Sequence, residues 1–136
     1  MKTLAVGDSE TFDVDARELW NPSQCRLEPG GRYRLEVIAQ LEAWSDWMVG
    51  ASPQRGWLGA ARVIEPLARP LARAPRLPMY ALVGAIDRDP ATFFLALSAR
   101  DWQAVKDGPL ECFANDWPGK YGNNRGRLRV TLRRTG

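Results

Sequence analysis

Asp116, Asn123 and Asn124 offer a carboxylate and two side-chain amides from one short stretch, "NDWPGKYGNNRG" (115–126), which also holds Asn115 and three glycines. Carboxylate, amide and backbone carbonyl oxygens are what a hard cation takes, and calcium takes about six to eight of them. Gly119 and Gly122 let the backbone curl so that an intervening carbonyl, that of Lys120, can join the side chains. Adjacent asparagines point to opposite sides of an extended strand, so Asn123 and Asn124 both ligate only where the chain is turning, and glycines at 122 and 126 permit that. The same residues are also ordinary turn formers, whose amides can cap their own backbone. A single aspartate means low ligand charge, hence weak affinity unless a distant segment adds a ligand.

Other chemistries are poorly served. The chain has no histidine, which removes the commonest general base and transition-metal ligand and the usual partner of a nucleophilic serine or cysteine. Cys25 and Cys112 are too far apart for a zinc motif and read as buried free thiols, as suits a reducing compartment. Asp46, Glu42 or Asp116 could be cast as a glycosidase pair. Nothing in their spacing favours that, and the expectation is a protein that is not an enzyme.

These residues must be positioned by one domain, since 136 residues bury a core without staples. Nineteen basic residues are interspersed with sixteen acidic ones, so the net charge of +3 defines no extended basic surface. The start, "MKTLAVGDSETF", has too short an apolar run for a secretory signal, and no segment is long enough to span a membrane. The expected location is the cytoplasm, with release by a non-classical route as the variant.

Period-two alternation marks strands at 11–16, at 32–39 (Tyr33, Leu35, Val37 and Ala39 inward, Ile38 outward) and at 127–133. "MYALVGAI" (79–86), "TFFLAL" (92–97) and "LECFA" (110–114) are more continuously apolar and read as central strands. "EPGG" (28–31) reads as the turn of a hairpin joining a short run at 25–27 to the strand at 32–39. The stretch 44–57 reads as a tryptophan-containing loop. The stretch 63–78, with Pro66, Pro70, Pro75 and Pro78, reads as an irregular loop crossing the surface, with one helical turn as the variant. Seven or eight short strands with Gly/Pro-rich turns predict an all-β antiparallel sandwich, a small barrel being the alternative.

The segment "GPLECFANDWPGKYGNNRGRLRVTL" (108–132) resembles the C-terminal signature of the LecA-like galactophilic lectins, Asn-Asp-x-Pro-Gly-x-Tyr-Gly-Asn-Asn-x-Gly followed by an alternating strand. The likeness extends loosely through 27–39 and 81–86. It implies a jelly-roll β-sandwich that binds calcium through the Asp116 carboxylate, the Lys120 carbonyl and the side chains of Asn123 and Asn124. A further carbonyl is implied from 40–46, with Trp44 as the choice. Two hydroxyls of galactose or a related hexose would complete the calcium shell, and Asp116, Trp117, Lys120, Asn123 and Asn124 would line the sugar site. Where that family grips the sugar with a His-Pro pair, the nearest residues here are Glu65 and Pro66. Weak single sites make a homodimer or tetramer the expected assembly. Two other classes stand beside this: a degenerate sandwich serving as a protein-interaction or assembly module, and nucleic-acid binding by the strand arginines Arg32, Arg34, Arg127, Arg129 and Arg133. Nucleic acid is not the expected partner.

Overall fold

A computed structural model describes residues 1–98 and 100–136, and in it the alternating stretches pair into two facing sheets. The first is ordered β1 (Lys2–Thr3), β3 (Asn21–Leu27), β10 (Gly108–Ala114), β7 (Leu82–Ile86) and β8 (Phe94–Leu95). The second is ordered β2 (Ser9–Asp15), β11 (Asn124–Arg134), β4 (Arg32–Asp46), β5 (Val49–Ser52) and β6 (Gly56–Trp57), with β9 (Trp102–Gln103) also on β4. Pairing is antiparallel except for the short β1–β3 contact. The chain is therefore a β-sandwich, as the alternation predicts.

The inward residues of both sheets meet in one core: Leu27, Leu82 and Leu110 from the first, Val14, Leu128 and Val130 from the second, all fully buried. Burying each such side chain contributes about 1.5–3 kcal/mol, so this set dominates stability. Strand β7 is buried on both faces because a second cluster, Val83, Ala85 and Phe113 with Ala74, lies under the 72–78 segment. That explains its unbroken apolar sequence.

Four expectations are corrected. The 25–27 run and the 32–39 strand do not form a hairpin: β3 belongs to the first sheet and β4 to the second. The turn is real, with the Gly31 amide donating to the Glu28 carbonyl at 3.0 Å, but it carries the chain between sheets. Turn chemistry fixes a reversal and not the strand that pairs. The 44–57 stretch is not a loop, because β4 runs on to Asp46 and β5 and β6 continue the sheet. The run at 92–97 forms only the two-residue β8, since Pro90–Thr92 makes a 3₁₀ turn in front of it.

The fourth correction is a helix, α1 (Ala61–Ala68), which contains Pro66. Proline removes one amide donor, and tertiary bonds hold the turn regardless. Glu65 is buried against Arg69 (Oε1 to Nε 2.6 Å, Oε2 to Nη2 2.9 Å) and accepts the Met79 amide. The helix is inverted in consequence, with Glu65 inside and Val63, Ile64 and Leu67 exposed. No helix among the described residues is long and apolar enough to cross a membrane.

Strand β4 departs from simple alternation. Its partners on β11 run Val37 with Val130, Ala39 with Arg129, Gln40 with Leu128, Glu42 with Arg127 and Asp46 with Asn124, through three register shifts. Each shift is a bulge that inserts one residue into β4, and an odd number of insertions exchanges the faces of everything beyond. Tyr33 and Leu35 point inward before the shifts, and Trp44, only 2% exposed, points inward after them.

Both cysteines are free and buried. Burial pushes the Cys25 thiol up and the Cys112 thiol up to about 12. At pH 8 neither should react with Ellman's reagent in the native protein, and both should react in guanidinium. Rapid native labelling would show that the sandwich opens.

Candidate cation and ligand site

The loop at 115–123 joins β10 of one sheet to β11 of the other at one end of the sandwich. The Lys120 amide donates to the Trp117 carbonyl (3.0 Å), closing a turn at Pro118 and Gly119, and Tyr121–Asn123 forms a 3₁₀ turn. The loop's aromatics anchor it. The buried Tyr121 hydroxyl donates to the Ala114 carbonyl and accepts from Arg73 Nη1 (2.8 Å). The Trp117 indole donates to the Ala68 carbonyl at the end of α1 (2.8 Å). Across the loop's exit, the Tyr80 hydroxyl donates to the Arg125 carbonyl and accepts the Arg125 amide, each at 3.0 Å.

Asn115 has a different role from the other two asparagines. Fully buried, it accepts the Ala74 amide on Oδ1 (2.9 Å), and its Nδ2 donates to the carbonyls of Ala74, Leu77 and Pro78. It is the clamp that shapes the proline-rich 72–78 segment.

A cavity of about 220 Å³ opens between this loop and the end of β4, lined by Asp46, Asp116, Trp117, Lys120 and Asn123, with Trp57 and Met79 closing its wall. Asp116 is 3% exposed. Its Oδ1 accepts the Trp117 amide at 2.7 Å, and its Oδ2 is buried with no hydrogen-bond partner. Burial, reinforced by the neighbouring Asp46 charge, pushes the Asp116 carboxyl up to about 6, with the Trp117 amide and the Asn124 side chain pulling the other way. Asp46 is also pushed up by burial, against the pull of the Trp57 indole, which donates to its Oδ2 at 2.9 Å. Asn124 is buried; its Nδ2 donates to the Ala16 carbonyl at 3.0 Å, and its Oδ1 has no partner.

Buried polar atoms without partners are rare and costly. Here a carboxylate oxygen and an amide oxygen from the same loop share that condition, beside a second desolvated carboxylate. The site's donors to a cation would be these oxygens, with the Lys120 side chain also lining the cavity. Among the described residues no three carboxylate, cysteine or histidine side chains form a metal cluster, so a cation here would rest on two carboxylates completed by amide and carbonyl oxygens. That donor set fits calcium.

The turn-capping alternative fits poorly. Among the described residues neither Asn123 nor Asn124 donates to or accepts from the loop's own backbone through its side chain, the Asn124 amide reaching across to Ala16 instead. The structure thus brings Asp116, Trp117, Lys120 and Asn123 to one cavity, with Asn124 beside Asp116. Trp44 does not line it. The Trp44 indole donates to the Tyr80 carbonyl (2.8 Å), and its ring fills the space left by Gly126, where an added Cβ would come within 2.6 Å. Glu65 and Pro66 lie outside the cavity; Glu65 lines a neighbouring one.

Asp46 lines the cavity although the sequence did not mark it as part of this site. Only the accumulated bulges of β4 turn it toward the loop, and no local signal in the sequence marks them. Trp57 is placed by Gly56, whose φ of +81° and contact with the Met79 carbonyl (2.0 Å from an added Cβ) exclude a side chain. Gly56→Ala is expected to cost about 2–4 kcal/mol, read as a lower midpoint in urea unfolding.

Two of the five strand arginines are held by carboxylates. Arg129 bonds Asp13 (Nε to Oδ1 3.0 Å) and Arg34 bonds Asp101 (Nε to Oδ1 2.7 Å). In comparisons with known proteins, no family model and no curated protein matches the chain.

Proposed function

We propose that the protein is a calcium-dependent carbohydrate-binding protein of the LecA-like kind, with the 115–126 loop as its site. One observation carries this reading: the partnerless buried oxygens of Asp116 and Asn124, beside a cavity that also receives Asp46. The Asp116 and Asp46 carboxylates, the Asn123 and Asn124 amides and the Lys120 carbonyl would hold the ion. Calcium would supply open coordination positions for two vicinal hydroxyls of a hexose. Trp117 and Trp57 give that cavity aromatic walls, which suit the apolar face of a pyranose ring.

Asp46 answers the charge deficit of the loop, because two carboxylates bind calcium more tightly than one. The reading is tested by isothermal titration. Calcium is expected to bind at micromolar to millimolar concentration, and galactose or a related hexose to bind only when calcium is present. No calcium heat at millimolar concentration overturns the metal half, and a silent glycan array in calcium overturns the sugar half.

A further inference from the structure

A second cavity, of about 230 Å³, adjoins the first and shares Trp57 with it. Its other lining residues are Arg55, Arg62, Glu65, Arg69 and Pro78. Three guanidinium groups and one carboxylate therefore line a cavity that shares the Trp57 ring with the proposed cation site. Glu65 does not balance them. Both its oxygens are spent on Arg69, and Oε1 also accepts the Met79 amide. Arg55 and Arg62 have no ion-pair partner among the described residues, so both guanidinium groups are free to meet an anion in this cavity.

Arginine's planar fork matches carboxylate, sulfate and phosphate oxygens in pairs. Resting on the proposed function above, the geometry points to an acidic sugar as the preferred ligand: a hexose whose hydroxyls meet the cation on one side of Trp57 and whose anionic substituent meets Arg55 and Arg62 on the other. The substituent is a carboxylate or an ester anion such as sulfate or phosphate. Glu65 positions Arg69 and, by filling its own oxygens, leaves the anion no competitor in the cavity.

The experiment is a titration of the full chain, in calcium and in EDTA, with galactose, galacturonate, galactose 6-sulfate and galactose 6-phosphate, repeated with R55Q/R62Q. At least one anionic sugar is expected to bind tenfold or more tightly than galactose, with the advantage shrinking as salt rises. The double variant should bind that sugar and galactose equally, with its calcium affinity unchanged. Which anionic sugar leads distinguishes carboxylate from sulfate or phosphate. Equal binding of all four sugars, or a preference that survives R55Q/R62Q, overturns the inference and leaves the calcium lectin reading standing. Anion preference that is lost in the variant yet indifferent to calcium supports the arginine subsite and overturns the calcium reading. Absence of binding by all four overturns the inference, while the metal half of the reading stands or falls on calcium binding alone.

Discussion

In EDTA at pH 7.5, Asp116→Asn is expected to melt above the wild type, and in millimolar calcium the order is expected to reverse. Without a cation, the native state at neutral pH holds a buried carboxylate whose Oδ2 has no partner, and folding must pay for its desolvation. The sign follows from the two protonation equilibria. An unfolded aspartate titrates near 3.8 and folded Asp116 near 6. Below pH 3.8 both states are protonated and there is no penalty. Between 3.8 and 6 the unfolded chain has released a proton that the folded chain retains, so stability falls with rising pH, by up to about 1.4 kcal/mol per unit. Above 6 the penalty is constant, at roughly 2–3 kcal/mol. The difference between variant and wild type in EDTA should therefore grow from pH 4 to 6 and then level off.

On the proposed reading calcium inverts the comparison, because the ion would bind the native carboxylate. A ligand at one hundred times its Kd stabilises by about 2.7 kcal/mol, or roughly 10 °C in a chain of this size. The variant lacks the anionic oxygen and should gain little. Differential scanning fluorimetry across pH, with and without calcium, reads both effects. A calcium-induced shift that persists in Asp116→Asn would remove Asp116 from the site.

The second large effect is expected one residue earlier. Asn115→Leu removes the group that bonds the Ala74 amide and three carbonyls of the 72–78 segment. Leucine fits the volume and supplies none of those bonds. Leaving several buried backbone groups unpaired costs about 3–5 kcal/mol, seen as a fall in Tm of 10 °C or more. Hydrogen exchange should show the loss first at Ala74 and Leu77. Calcium affinity should weaken too, since the Arg73 amide donates to the Asp116 carbonyl and ties the segment to the site. A variant that keeps its Tm would mean that the segment is held by the Trp20, Phe93 and Phe113 cluster alone.

The sequence was most legible where one periodicity ruled a whole element. Strand β11 alternates from Arg127 to Arg133 because one face is core throughout, and its inward set, Leu128, Val130 and Leu132, lies where alternation puts it. The site loop was legible as a surplus of oxygens, though Asn115 shows that an asparagine in such a loop can serve a neighbouring segment instead. Partner choice was not legible: the turn at 28–31 resembles any hairpin turn, and only the whole topology shows that it changes sheets. Nor was α1, because the bonds that hold Pro66 in a helix come from Arg69, Met79 and Trp117, the last two remote in the chain.

The bulged middle of β4 gives the site an unusual relation to chain length. Deleting one residue between Ile38 and Ala43 would leave composition, charge and most strand pairing intact, yet would rotate Asp46 out to the solvent and bring Ser45 in. Deleting two would restore its facing. Descendants of this strand would thus keep or lose the Asp46 carboxylate in the cavity by whether their insertions and deletions come in odd or even numbers, with every chemically important side chain still present in the sequence.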